Sequence, residues 1–353
     1  MKMLKIGIIG VGNIAQHHLA SYKKNPNCEI YAFCDINEQR LREMGEKYGV
    51  TRLYTSKEEM FAECPELDAV SVCTWNCAHA ECSIAALNAG KHVICEKPMA
   101  MNAKQAIEMQ KAAEKNNKLL MIGFVRRFGK DCTVLKDFVD AGDFGDIYYA
   151  KTTYLRRAGS PGGWFGNKSL SGGGPLIDLG VHVIDLARYI AGRPMPVSAF
   201  GATFKKLGDR KDIKKEKGYV ASSTGGAEIF DVEDMATALV RFDNGIVLSV
   251  EASFSLNIKK DVGTIEIFGT KAGANLSPEL EIFNDRNGYL TNVSFNQSTA
   301  LSFDGLFESE INHFVDCVIS GGECKAPAED GVILMKILDA IYESAETGHE
   351  VII

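Results

Sequence analysis

The sequence has no CxxC pair, no apolar run long enough to cross a membrane, no excess of basic charge, and no repeat or low-complexity segment. Each absence removes a class of protein. A membrane helix needs about 18 nearly uninterrupted apolar residues, and none occurs. A strand pattern starts at Leu4 and leaves no room for a signal peptide before it, so a cytoplasmic protein is expected. A net charge of −7 and a pI near 5.6 give no electrostatic reason to expect nucleic acid or an anionic membrane as partner. The ten cysteines include Cys34, Cys73 and Cys95 inside apolar runs, and they read as buried free thiols in a reducing compartment. Cys73, Cys77, Cys82 and His79 lie close together, yet their spacing matches no common zinc site, so no metal is expected.

A chain of 353 residues exceeds one ordinary core, while 46% hydrophobic and 24% charged residues are ordinary globular values. Two domains are expected, a dinucleotide-binding domain over 1–123 and a substrate-binding and oligomerisation domain over 124–353. The first opens with the buried-strand run LKIGII, followed at once by Gly10-Val11-Gly12-Asn13-Ile14-Ala15 and a helical stretch. In that context GxGxxA has a mechanism. Gly10 and Gly12 allow a tight turn and close approach of a pyrophosphate, and the helix opened by Asn13 and Ile14 offers N–H groups and positive dipole to it. A second strand ends at Asp35, 23 residues past Gly12, where a carboxylate suits the ribose hydroxyls of NAD and repels the 2′-phosphate of NADP. Ile36 follows it, so no Arg or Ser stands there to receive a phosphate.

Strands and helices keep alternating to about Ile122, which predicts a doubly wound parallel sheet. Ligands on such sheets sit beyond the strands' carboxyl ends, where Thr74, Asn76, His79 and Glu96-Lys97-Pro98 emerge. Lys97 is either a solvated turn lysine or, following the buried-looking VIC run, a desolvated lysine able to hold a substrate hydroxyl.

Further on, Ser171–Tyr189 reads SGGGPLIDLGVHVIDLARY. Three glycines and Pro175 feed a helix whose Leu176, Leu179, Val183, Leu186 and Ile190 form one apolar stripe. Asp178, His182, Asp185 and Tyr189 form a second stripe, which must face partners or a cleft if the helix is mostly buried. Asp178 one turn from His182 has two readings. It can serve the helix dipole beside a satisfied core histidine, or it can fix the tautomer of a general base.

GVGNIA, Asp35, TWNCAHAECSIAALNAGKHVICEKPMA, GFVRRF and GGGPLIDLGVHVIDLARYIAG together resemble the Gfo/Idh/MocA family of NAD(P)-dependent sugar and cyclitol oxidoreductases, and the resemblance covers essentially the whole chain. It implies that Lys97, Asp178 and His182 are the catalytic set and that Lys97-Pro98 is a cis peptide. It also implies cofactor contacts from Gly10, Gly12, Asn13, Ile14, Asp35, Ile36, Thr74, Asn76, His79, Glu96 and Lys97. Trp75 stands where the family usually has proline. GFVRRF is similar to inositol dehydrogenases in particular.

After Ala141 the pattern becomes strand after strand, with Asp243-Asn244-Gly245 as a hairpin turn, so an α+β domain with a large open, mainly antiparallel sheet is expected. The resemblance implies that the sheet's open face is an oligomer interface, as dimer or tetramer. The loop from Arg156 to Ser171 is expected to contact substrate through Arg156 and the aromatic face of Trp164, with Arg126 of GFVRRF beside Asp178 and His182. Lys205–Gly226 reads as a solvated excursion, and the final helices as packing elements.

The expected function is NAD-dependent hydride transfer to or from a secondary alcohol of a sugar, sugar derivative or cyclitol. Two rivals remain at this level. One is a redox-neutral enzyme that keeps NAD, oxidises a glycoside transiently and eliminates its aglycone; the other is a non-catalytic NAD-binding sensor.

Overall fold

The computed structural model describes residues 3–208, 210, 213, 229–303 and 305–353. Most of the Lys205–Gly226 excursion lies outside the described residues. The chain forms two compact units, one of residues 1–125 with 304–335 and one of residues 126–303 with 336–353. The crossing expected at 123/124 falls two residues later, at 125/126, but the chain also returns to the first unit, which the sequence reading did not anticipate.

In the first unit the strands are β1 (Leu4–Ile9), β2 (Cys28–Cys34), β3 (Leu53–Tyr54), β4 (Ala69–Val72), β5 (His92–Glu96) and β6 (Leu120–Gly123). They form one sheet in the order β3-β2-β1-β4-β5-β6, and every pair in it is parallel. Val70, Val72, Val93, Ile94, Met121 and Ile122 are fully buried, as expected of strands covered on both faces. The connecting helices are α1 (Asn13–Lys24), α2 (Glu38–Tyr48), α3 (Lys57–Glu63), α4 (Asn76–Asn88) and α5 (Ala103–Lys115).

The second unit begins with α6 (Lys130–Asp140), β7 (Ile147–Leu155), a short α7 (Lys168–Ser171) and α8 (Val181–Ile190). It continues through β8 (Pro196–Phe204), β9 (Met235–Phe242), β10 (Val247–Ser253), β11 (Val262–Gly269), β12 (Ala272–Asn275), β13 (Glu281–Arg286) and β14 (Tyr289–Val293). Strand β15 (Val351–Ile352) completes a sheet of order β14-β13-β12-β11-β7-β10-β9-β8-β15. All its pairs are antiparallel except β7 with β10. The Asp243-Asn244-Gly245 hairpin forms as expected, with Gly245 at φ 87° and Phe242 N–H donating to Ile246 O at 2.9 Å.

The return to the first unit is made by α9 (Leu306–Ser320) and the start of α10 (Ala328–Thr347). Helix α9 packs on α1. Phe307 stacks on His17 with centroids 4.6 Å apart, and Asn25 Nδ2 donates to Asn312 at 2.7 Å. Ile122 N–H donates to Ala326 O at 2.9 Å and extends the edge of β6. Among the described residues no helix is long and apolar enough to cross a membrane.

Candidate active site

Helices α2, α3 and α5 each begin on a side chain that accepts a backbone N–H, from Asn37, Ser56 and Asn102 respectively. Helices α1 and α4 do not. They start at Gly12 and Trp75 with no side-chain cap and no acidic residue in the first turn, so the positive ends of their dipoles meet no carboxylate of their own first turn. These two helices follow β1 and β4, the neighbouring strands between which the sheet order reverses, where doubly wound sheets bind ligands. A Cβ on Gly12 would meet nothing within 4 Å, so open space faces the α1 terminus; a Cβ on Gly10, at φ 84°, would lie 2.7 Å from Cys73 O. Gly12 leaves room for a pyrophosphate and Gly10 lets β1 and β4 close up behind it. The residues fit a dinucleotide.

Asp35 sits at the end of β2, as expected, but its carboxylate already serves the protein. Oδ2 accepts from Val11 N at 2.8 Å and Oδ1 from Asn37 N at 2.8 Å, which pins the glycine turn to the second strand. Each oxygen keeps a second lone pair for a ribose hydroxyl. Ile36 is 84% exposed, an apolar surface beside that carboxylate.

Lys97-Pro98 is cis, as the resemblance implies, and so is Ser277-Pro278, which was not expected. His79 braces the first of these turns. Its Nδ1 lies 2.7 Å from Pro98 O and its Nε2 3.1 Å from Thr74 O, and the side chain is 1% exposed. Both ring nitrogens therefore face backbone carbonyls, of Pro98 and of Thr74, and the ring ties the two turns together. Burial lowers the His79 pKa against the pull of those two carbonyls, which favours the neutral ring donating through Nδ1 over the shorter distance.

Glu96 is also a brace. Its Oε2 accepts from Lys97 N at 3.2 Å, and its Oε1 lies 2.9 Å from His18 Nε2. His18 Nδ1 then meets Ser71 Oγ at 3.2 Å, and Ser71 meets Tyr22 Oη at 2.8 Å. Burial opposes the charge on Glu96, but the hydrogen bond to His18 and the nearby Lys97 ammonium outweigh it, so its pKa lies below the ordinary range. Glu310 of α9 completes this buried group, with a ligand atom of each of His18, Glu96 and Glu310 within 4.8 Å of the others. Three such atoms could reach one ion, but the run Tyr22–Ser71–His18–Glu96 closes by hydrogen bonds alone.

In the second unit the expected single helix has two parts. Leu176–Gly180 is a π-helical turn, in which Val181 N–H bonds back to Leu176 O, and α8 follows. Such turns concentrate at functional sites. Asp178 is buried at its centre. In α8 every residue is buried except His182 and Tyr189, which are half-buried, so the mostly buried helix expected from the sequence is found. The second polar stripe divides. Its lower half is structural, because Asp185 is clamped by Arg127 and Tyr189 lies under the Arg127 guanidinium, 4.6 Å from the ring centroid.

The expected substrate arginines are partly engaged. Arg126 Nη2 meets Asp131 Oδ2 at 3.3 Å. Arg156 Nη1 donates to Gly159 O at 2.8 Å while its guanidinium lies over Tyr154. Trp164 stacks on Phe165 with centroids 4.0 Å apart, in a 3₁₀ turn over Gly163–Gly166. The sequence reading missed Arg127, Glu233, Tyr342 and Glu310. The adjacent arginines of GFVRRF, and the paired acids of DVED just before strand β9, were the only local signals.

An uncapped pair of helix N-termini at the switch point of a 3-2-1-4-5-6 sheet defines a dinucleotide-binding enzyme with an appended sheet domain. Comparison with known proteins agrees. The model described as "Oxidoreductase family, NAD-binding Rossmann fold" matches residues 4–124, and that of the GFO/IDH/MocA C-terminal domain matches 133–275. D-glucoside 3-dehydrogenase of Escherichia coli K12 is 36% identical over 99% of this chain and 97% of its own length. Myo-inositol 2-dehydrogenase of Thermotoga maritima is 29% identical over 97% and 96%. The solved structure of levoglucosan dehydrogenase with NADH superposes with a TM-score of 0.86 at 25% identity, covering 99% of each chain. The chain belongs to the Gfo/Idh/MocA family and is an NAD-dependent oxidoreductase.

Proposed function

We propose that the protein oxidises a ring secondary hydroxyl of a pyranoside or cyclitol, with His182 taking the hydroxyl proton, Lys97 holding the same oxygen and Asp178 orienting the substrate or the imidazole. The observation that carries this reading is that His182 is one of only two residues of α8 that are not fully buried, one turn after the buried Asp178. The substrate class is supported by the relatives, whose names are those of glucoside, levoglucosan and myo-inositol dehydrogenases. Their shared feature is a rigid ring bearing several secondary alcohols.

When bound, NAD supplies the hydride acceptor. The chain's own residues do the remaining work. A neutral His182 accepts the hydroxyl proton, and the Lys97 ammonium stabilises the negative charge that develops on oxygen as that proton leaves. Trp164 offers a sugar an aromatic face, with Arg156 and Arg126 as polar contacts at its edge. The test is NADH formation across glucosides, anhydrosugars, hexoses and cyclitols. Turnover of at least one ring polyol is expected. Tight NAD binding without turnover would mark a sensor, and release of an aglycone without net NADH would mark the redox-neutral rival.

We also propose that the open face of the second sheet meets another copy of the chain. Phe200 pairs across strands with Leu239, both about half exposed, and Tyr149 stacks on Phe268 at 5.6 Å in the same sheet. An apolar face of this kind is normally covered. Light scattering at micromolar concentration distinguishes an oligomer from a monomer.

A further inference from the structure

Three acidic residues of one short stretch, Asp231, Glu233 and Asp234, make hydrogen bonds to three separate loops of the second unit. Asp231 holds the aromatic loop. Its N–H donates to Gly166 O at 3.0 Å and its carboxylate accepts from Lys168 N at 2.7 Å, so both bonds fall just after Trp164-Phe165. The fit is close, since a Cβ on Gly166 would come within 2.7 Å of Ile229 O.

Glu233 holds the glycine turn that enters the π-helical turn. It is 4% exposed, and its Oε2 accepts from Gly174 N at 2.9 Å while Oε1 accepts from Leu176 N at 3.2 Å and from Tyr342 Oη–H at 2.9 Å. Gly174 O in turn accepts from Asp178 N at 3.1 Å. A single residue, Gly174, thus links the Glu233 carboxylate to the Asp178 backbone. Side chains are excluded from the turn, because a Cβ on Gly173 would collide with Tyr342 Oη and one on Gly174 with Glu233 O. Asp234 ties the third loop, accepting from Lys206 N at 2.7 Å and Gly208 N at 2.8 Å.

We infer that Asp231–Asp234 is the positioning element of the substrate-side machinery, with Glu233 setting the position of Asp178 and His182 and Asp231 setting that of the Trp164 loop. Neither residue is catalytic. Glu233 spends its acceptors on two backbone N–H groups and one tyrosine, and burial raises its pKa against the pull of those hydrogen bonds. The inference rests on the roles proposed above for Asp178, His182 and Trp164.

The two residues make separable predictions, because one acts on groups that meet the reacting atoms and the other on groups that hold the ring. Glu233→Gln in either orientation puts an amide N–H₂ against the backbone N–H of Gly174 or Leu176, and is expected to lower kcat at least ~10-fold with the KM for NAD changed less than about twofold. Asp231→Ala is expected to raise the sugar KM at least ~5-fold with kcat within about twofold. Tyr342→Phe removes one donor from Glu233 and leaves the turn's own bonds in place. It should lower kcat about threefold, and by no further factor beyond about twofold when added to Glu233→Gln, because both changes act through one carboxylate. If Glu233→Gln does not fold, Tyr342→Phe and Glu233→Asp carry the same test.

Equal changes in kcat and KM for both variants, or none in either, overturn the inference. Failure of the underlying reading looks different: the wild type then forms no NADH from any ring polyol, or His182→Ala turns over normally.

Discussion

Arg127 and Asp185 form a buried bidentate ion pair beneath the helix that carries His182, with Nε 3.0 Å from Oδ2 and Nη2 2.6 Å from Oδ1. Both side chains are almost wholly inaccessible. Removing one partner of such a pair leaves a charge buried without compensation. Arg127→Ala is therefore expected to destabilise the second unit by about 3–5 kcal/mol. Asp185→Asn should cost less, since the amide oxygen still accepts one guanidinium N–H. Urea unfolding of the two variants checks the order, and a mild Arg127→Ala would show that the pair adds little.

Lys97→Met and His182→Ala are each expected to lower kcat by ~10²-fold or more while NAD affinity is kept, because a general base and a charge-stabilising group act mainly on the transition state. Steady-state kinetics with titration of NAD binding separate the two effects. Near-normal turnover in either variant would remove that residue from the mechanism.

The parallel sheet was legible because short, mainly apolar runs such as LKIGII and AVSV alternate with helical stretches, and the glycine turn because Gly10 and Gly12 fall directly between a strand and a helix. Strands β7 to β11 were legible from alternation. Strands β3, β12 and β15 were not, at two, four and two residues, too short to show a period, and β13 and β14, rich in Asn, Asp and Arg or Thr, were not read either. The π-helical turn was hidden for a different reason: Leu176 and Leu179 recur at a spacing that an α-helix satisfies equally well, and an extra residue per turn leaves no mark in so short a run. The bracing contacts were out of reach because they join distant residues, 59 apart for Glu233 and Gly174 and 58 for Arg127 and Asp185. The assignment of Lys97 depended on the resemblance, since a lysine before proline is by itself an ordinary turn residue.

Asp35 is expected to give NAD at least a ~10-fold preference over NADP in kcat/KM, about 1.4 kcal/mol. A 2′-phosphate would meet like charge at a site 9% exposed, and Arg40 is the nearest following cation. Because the carboxylate also holds Val11 N and Asn37 N, Asp35→Ser should narrow the ratio mainly by raising the KM for NAD. Initial rates with both cofactors test this. Equal use of NADP by the wild type would show that Asp35 does not select the cofactor.

Glu310 gives a pH dependence whose sign can be worked out. It is fully buried, neither carboxyl oxygen has a hydrogen-bond partner, and burial followed by the charge of Glu96 raises its pKa well above the usual carboxylate range. Facing it are His18 and Tyr22 from α1, Glu96 from the end of β5 and Cys73 after β4. In the folded chain Glu310 is held neutral, whereas in the unfolded chain it ionises in the ordinary acidic range. Folding therefore takes up a proton between those two values, and the stability contributed by this group is complete below the unfolded pKa and falls as pH rises toward the folded one. Glu310→Gln keeps the shape of the neutral carboxyl and cannot ionise in either state. It is expected to raise the melting temperature at pH 8 by about 2 °C or more, with the difference closing toward pH 4. Melting curves across that range decide the matter. An unchanged or lower melting temperature at pH 8 would mean that Glu310 is ionised in the folded protein, with a cation or water compensating it among His18, Glu96 and Glu310.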